Sequence, residues 1–259
     1  MRTSLALCTC LFLCCCLYLP LCKSESKNTL QVHFGGGKFA LRDKSVSPLL
    51  YQNAALSFFL AYKHEGPKKS DFFQFNTNRA VLSNQYGNTM LYRDFCFKNY
   101  SLYKTGQARL KWGWSNNNYL IFCEIPSYGN FNKRLSYVTS FGPALCYVEC
   151  FNLFGKQLKA ELPLDLQVLG FYIRPSYVSD SPEAYLAPNG NRISAFLASA
   201  GAFLPNQAWN AALNPGFSYI LSSGNAVVIQ YHYEYLCINR PEKLSKSSGI
   251  WTIGIKAML

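Results

Sequence analysis

The feature that most constrains this chain is a period of two. In stretch after stretch of nine or more residues, apolar and polar side chains alternate, as in a β-strand with unlike surroundings on its two faces; a helix would mix the two sets. From Gln107 to Ser115 the even positions are Ala108, Leu110, Trp112 and Trp114, against Gln107, Arg109, Lys111 and Ser115. From Gln157 to Val168 they are Leu158, Ala160, Leu162, Leu164, Leu166 and Val168, against Gln157, Lys159, Glu161, Asp165 and Gln167. The split recurs in Trp209–Leu221, Val227–Cys237, Tyr137–Leu153, Ala54–His64 and Trp251–Leu259, and more weakly in Phe73–Val81.

Eight strands result, most of them as long as the ~9–11 residues that a tilted strand needs to cross a bilayer. Beyond residue 24 no run of 18 apolar residues occurs, so the strands, not a helix, are the membrane-crossing candidates. The composition agrees: 16% aromatic and only 15% charged is a poor surface for water. The expected fold is an all-β, antiparallel up-and-down transmembrane β-barrel over 48–259, with about eight strands and ten as the alternative. Phe154-Gly155-Lys156 and Ser222-Ser223-Gly224-Asn225 read as tight hairpins; 116–133, 179–208 and 239–247 read as long loops. Residues 84–106 spoil this regularity, being long where a turn should be short, and read as some helix or a strand extension.

Arg2, the apolar run Leu5 to Leu21 and the small residues that follow mark 1–24 as a cleaved export signal, with an uncleaved anchor as the rival. Leu19-Pro20-Leu21-Cys22 also has a faint likeness to a lipidation site at Cys22, with bulky Leu21 against it. Six of the 11 cysteines leave with the signal, and the five that remain are no disulfide framework. The formal charge of +12 becomes +10, from 23 basic and 13 acidic residues. Residues 25–47 read as an N-terminal lead-in made flexible by Gly35-Gly36-Gly37; Lys38 after them lacks the Ser/Thr of a phosphate loop.

The polar faces define an expected lumen network of Arg109, Lys111, Lys159, Glu161, Asp165, Gln167, Gln230, His232, Glu234 and Lys256, whose mixed charges neutralise one another within a narrow barrel. Trp114, Trp209 and Trp251 are expected to form an aromatic belt at the outer interface. His232 and Glu234, two residues apart on one face, are the strand-centred candidates for a catalytic base and its carboxylate, but no nucleophile can be assigned to them. No His and Cys set completes a metal site, and no motif calls for a cofactor. The basic residues are dispersed, which argues against nucleic acid. Phosphates of a lipid surface are the expected anionic partner.

Two short stretches carry a resemblance. Ser47-Pro48-Leu49-Leu50-Tyr51 is similar to the entry into the first strand of exported Bacteroidota barrels, and Thr252, Gly254, Ala257 and Leu259 resemble the terminal assembly signal of bacterial outer-membrane barrels. The terminal residue departs from that signal in being Leu, not aromatic. The resemblance implies residence in an outer membrane, contact with its lipid and lipopolysaccharide, and dependence on a barrel insertion machinery. With no nucleophile to assign, the expected role is non-enzymatic, structural or surface-interacting. A barrel enzyme acting on outer-membrane lipids and a secreted or lipid-anchored β-sandwich binding module are the alternatives.

Overall fold

The computed structural model describes residues 27–105, 109–127, 133–153, 156–174 and 200–259. The expected export signal, at 1–24, and most of the expected 179–208 loop lie outside them. Thirteen strand segments form one sheet whose first and last members pair with each other. They group into ten wall strands. These are β1 (Lys27–Asp43), β2 (Ser47–Glu65), β3 (Lys69–Ser83), β4 (Thr89–Lys104), β5 (Leu110–Glu124) and β6 (Lys133–Leu153). β7 has two segments, Lys156–Gln167 and Leu169–Ile173, and β8 has three, Ala200–Phe203, Ala208–Leu213 and Gly216–Ile220. β9 (Ala226–Ile238) and β10 (Leu244–Met258) complete the wall.

The pairing is antiparallel throughout, and β10 pairs with β1 from Thr29↔Met258 to Asp43↔Leu244, so the cylinder is closed. A single closed sheet rules out the sandwich. Following the register once round from Lys27, through Glu65, Ser70, Leu102, Gly113, Ala144, Asp165, Ala212, Glu234 and Ser248, returns to β1 at Phe39. That is a stagger of twelve residues over ten strands, which at ordinary strand spacings sets a tilt of about 40°.

The wall is inverted relative to a water-soluble protein. Phe34, Leu56, Phe75, Phe97, Trp112, Leu145, Leu164, Phe217, Ile229 and Ile253, one from each strand, are exposed, while Gln31, Ser57, Asn76, Lys98, Asn117, Ser140, Asp165, Asn210, His232 and Thr252 are buried inside.

The count is ten, the alternative to eight that the sequence offers; β1 and β4 are the two strands beyond the eight. β1 occupies the expected lead-in; its glycines do not loosen it but let it meet β10, since a Cβ at Gly35 or Gly37 would collide with the carbonyl oxygens of Trp251 or Gly249. β4 fills most of 84–106, after a turn at Asn84 whose side chain accepts from the amides of Tyr86 and Asn88. Two expected loops are shorter than read: β5 runs on through Asn116-Asn117-Asn118 to Glu124, and β10 begins at Leu244. Both ends of the described chain lie at one rim, here the terminal rim. The opposite, loop-side rim carries the connections after β1, β3, β5, β7 and β9.

Candidate functional site

The lumen is the enclosed chemical environment of this fold, and it has three levels. At the loop side it is a hydrophobic core: Phe39, Leu41, Tyr51, Leu82, Met90, Ile121, Phe203, Leu236 and Ile238 pack in one buried cluster. Above it, Asp43 pairs with Arg174 at 3.0 Å and with Arg134 at 3.3 Å. Arg174 also donates to the carbonyl oxygen of Glu242 at 2.9 Å, which ties the β9–β10 connection to the end of β1. This core fills the loop-side lumen with side chains.

The middle level is an ion cluster between β4, β9 and β10. Lys246 bridges Asp94 at 2.8 Å and Glu234 at 2.9 Å, and Lys98 holds Glu234 at 2.7 Å. Tyr92 donates to Asp94 at 2.7 Å, and Tyr119 donates to Glu234 at 2.9 Å while accepting from Asn210 at 2.7 Å. Below, Asp165 accepts from Tyr100 at 2.8 Å, from Asn117 at 3.3 Å and from Gln167 at 3.2 Å. Gln167 also reaches across β6 to Ser115, a route left open by Gly142, where a Cβ would strike the backbone of β7.

At the terminal rim the lumen widens into a vestibule of about 70 Å³, enough for a few waters, lined by Lys63, Lys111 and Glu161 together with Phe72, Tyr100 and Leu102. Glu161 takes Lys63 at 2.9 Å and Lys159 at 3.0 Å, while Glu65 takes Lys111 and, at 3.8 Å, Lys104. Gln230 donates to the carbonyl of Asn214 at 3.3 Å. Lys256 sits opposite Gln31 and Ala226 in the register, near the same rim.

Three sequence-derived placements change. Arg109 lies in the β4–β5 turn, its side chain exposed and paired with Glu149 at 3.2 Å at the rim, because β5 begins one residue later. Lys256, expected in one network with Glu234, lies towards the terminal rim, and it is Lys246, ten residues earlier on the same strand, that holds Glu234. The three tryptophans all project outward but share no level. Trp114 is near the terminal start of β5, Trp251 is mid-wall opposite Gly36, and only Trp209, opposite Cys237, is near the loop side. The extension of β5 through 116–124 moves Trp114 to the other end of its strand.

His232 and Glu234 face the same lumen but are not partners. Glu234 is committed to the two lysines, whereas His232 stacks on Phe59 at 4.1 Å and meets Asn214 through Nδ1 at 3.1 Å and Thr252 through Nε2 at 3.2 Å. Thr252, His232 and Asn214 have the connectivity of a nucleophile, base and orienting group, yet all three are buried; the cavity at His232 and Asn214 is about 20 Å³, and the vestibule that Asn214 also borders is about 70 Å³, each too small for an acyl group. A hydroxyl that no substrate can reach is a hydrogen-bonded filler. Glu65, Asp94 and Lys246, central to the ion network, were missed by the sequence reading. Asp94 lies in the unassigned 84–106, and Lys246 lies in a segment read as loop.

Fold and lumen together define a closed, side-chain-filled β-barrel with an apolar outer wall. No family model matches the chain, and no curated protein matches it either. Among solved structures it is similar to Ail, the attachment invasion locus protein of Yersinia pestis, at 9% identity over 89% of this chain and 99% of that one, with a TM-score of 0.35. It is also similar to the translocator domain of autotransporter NalP from Neisseria meningitidis, at 10% identity over 91% and 89%, with a TM-score of 0.36. Likeness at this level adds nothing to what the strand pairing shows.

Proposed function

We propose that this protein is a non-enzymatic outer-membrane β-barrel, exported by its N-terminal signal, that serves a structural or surface-interaction role and does not conduct. The observation that carries the proposal is the inverted wall. Leu56, Phe217, Trp251 and Ile253 stand 74%, 58%, 62% and 60% exposed on its outside, and an apolar surface that encircles a whole barrel has hydrocarbon as its natural solvent. The loop-side core supports the closed state. The burial of His232 and Thr252 weighs against the lipid-processing alternative.

In this reading the terminal rim faces the periplasm, the loop-side rim faces outward, and the lipid around the wall includes lipopolysaccharide. Membranes from expressing cells should retain the protein after an alkaline carbonate wash, unboiled and boiled samples should migrate differently on a gel, and planar bilayers should show no steady conductance. Release into the wash would reject the membrane assignment; stable channels would reject the plug.

A further inference from the structure

On the outer wall, near the loop side, a groove of about 630 Å³ runs over β3, β4 and β5 to the edge of β6 at Arg134 and Leu135. Its floor contains an unusual pair. Arg79 of β3 and Arg93 of β4 are both exposed and sit directly opposite each other in the register. Like charges in that position repel, and an arginine on an apolar wall carries a further solvation cost unless something answers its charge. The arginine ion pairs of the described residues use Arg109, Arg134 and Arg174, not these two. Their surroundings are apolar on both sides: Val81 faces Leu91 one row nearer the loop rim, and Arg93 lies over the Phe95 ring at 5.9 Å on the other side. Phe122 extends the apolar floor onto β5, and Glu124, at the groove's loop-side corner, is the carboxylate that lines it.

We propose that this groove is a binding site for a phosphorylated lipid of the outer leaflet, with a headgroup phosphate held between Arg79 and Arg93 and an acyl chain along Phe95 and Phe122. Guanidinium groups present paired donors that match phosphate oxygens, and a phosphate shared by two arginines turns their repulsion into a clamp. The apolar flanks suit a lipid phosphate and leave a free one with half the groove unused. The inference rests on the membrane reading above.

The test uses the full-length protein in detergent micelles and native mass spectrometry, with bis-phosphorylated lipid A as the probe. Wild type should carry a lipid A adduct. Arg79→Gln with Arg93→Gln should weaken it by about tenfold or more, and lipid A stripped of phosphate should bind as weakly as that variant. Arg93→Glu removes the repulsion, so it should abolish the adduct while leaving the heat-dependent gel shift at or above the wild-type temperature.

Equal binding by the arginine variants or by the dephosphorylated lipid would overturn the proposal, as would full displacement by millimolar inorganic phosphate, which would make the free ion the ligand. A wild-type protein with no heat-dependent shift would instead sink the barrel reading. A normal shift without any adduct would sink only the groove.

Discussion

The two ends of the lumen share one wall and are filled by opposite chemistries. The loop-side half is packed with Phe39, Leu82, Met90 and Phe203 like the core of a soluble domain, while the terminal half is lined by lysines, glutamates and amides around a vestibule. Barrel closure dictates neither filling. The strand pairing fixes which side chains point inward; their identity decides whether that part of the interior is a dry core or a wet ion network. The middle level joins the two. Asp94, Glu234, Lys98 and Lys246 are buried almost completely, so their charges are compensated by each other and by tyrosine hydroxyls, with little help from water.

That contrast can be broken most forcefully at the middle level. Lys246→Met leaves Asp94 without its ion pair and Glu234 with only Lys98, and should cost about 3–5 kcal/mol. The reading is a fall in the urea midpoint of the protein in micelles, and an unchanged midpoint would mean the cluster is wet.

Within the plug, Leu82→Ala should cost about 2–5 kcal/mol. Leu102→Ala, whose side chain borders the existing vestibule, should fall at the low end of that range because water can enter the space. Equal losses would show that the two halves are equally dry. The smallest effect is expected for Lys63→Met at the terminal rim, about 1 kcal/mol or less, because Lys159 still compensates Glu161 and the pair is partly solvated. A loss there as large as that of Lys246→Met would erase the distinction.

The same contrast explains what the sequence made legible. Period-two alternation exposes a strand when one face is polar and the other apolar, which holds where the lumen is wet. Thus Gln157–Val168 reads cleanly, with Lys159, Glu161, Asp165 and Gln167 all inside. β4 hides itself: its inward set runs from Met90 and Tyr92 through Asp94, Cys96 and Lys98 to Tyr100 and Leu102, crossing the plug and the ion cluster in one strand. With apolar residues on both faces at its ends, no period survives. The same mixture at Tyr119, Leu120, Ile121 and Phe122 disguised the second half of β5 as loop. β1 was lost for a different reason, since three glycines in a row mark flexibility in most chains and here mark a close approach between strands. The tightest part of the network needs Asp94 and Lys246 besides the ten residues expected in the lumen; Asp94 lies on β4, whose period is hidden, and Lys246 on the first part of β10, which reads as loop.

The glycine-lined joint between β1 and β10 has a consequence in time. Its partners, such as Thr29 and Met258, stand at opposite ends of the chain, whereas every other neighbouring pair is joined through a turn or a single connection. Closing so long a loop carries the largest entropic cost of any pairing in the wall, so this joint is expected to form last. Until it does, both edge strands present free amide and carbonyl groups to whatever strand is nearby, including another copy. On that order, the slow step of assembly and the moment of greatest risk of misassembly are expected to be the same event. A methyl group at Gly35, driven into the carbonyl of Trp251, should obstruct the joint itself while its direct clash spares the other pairings.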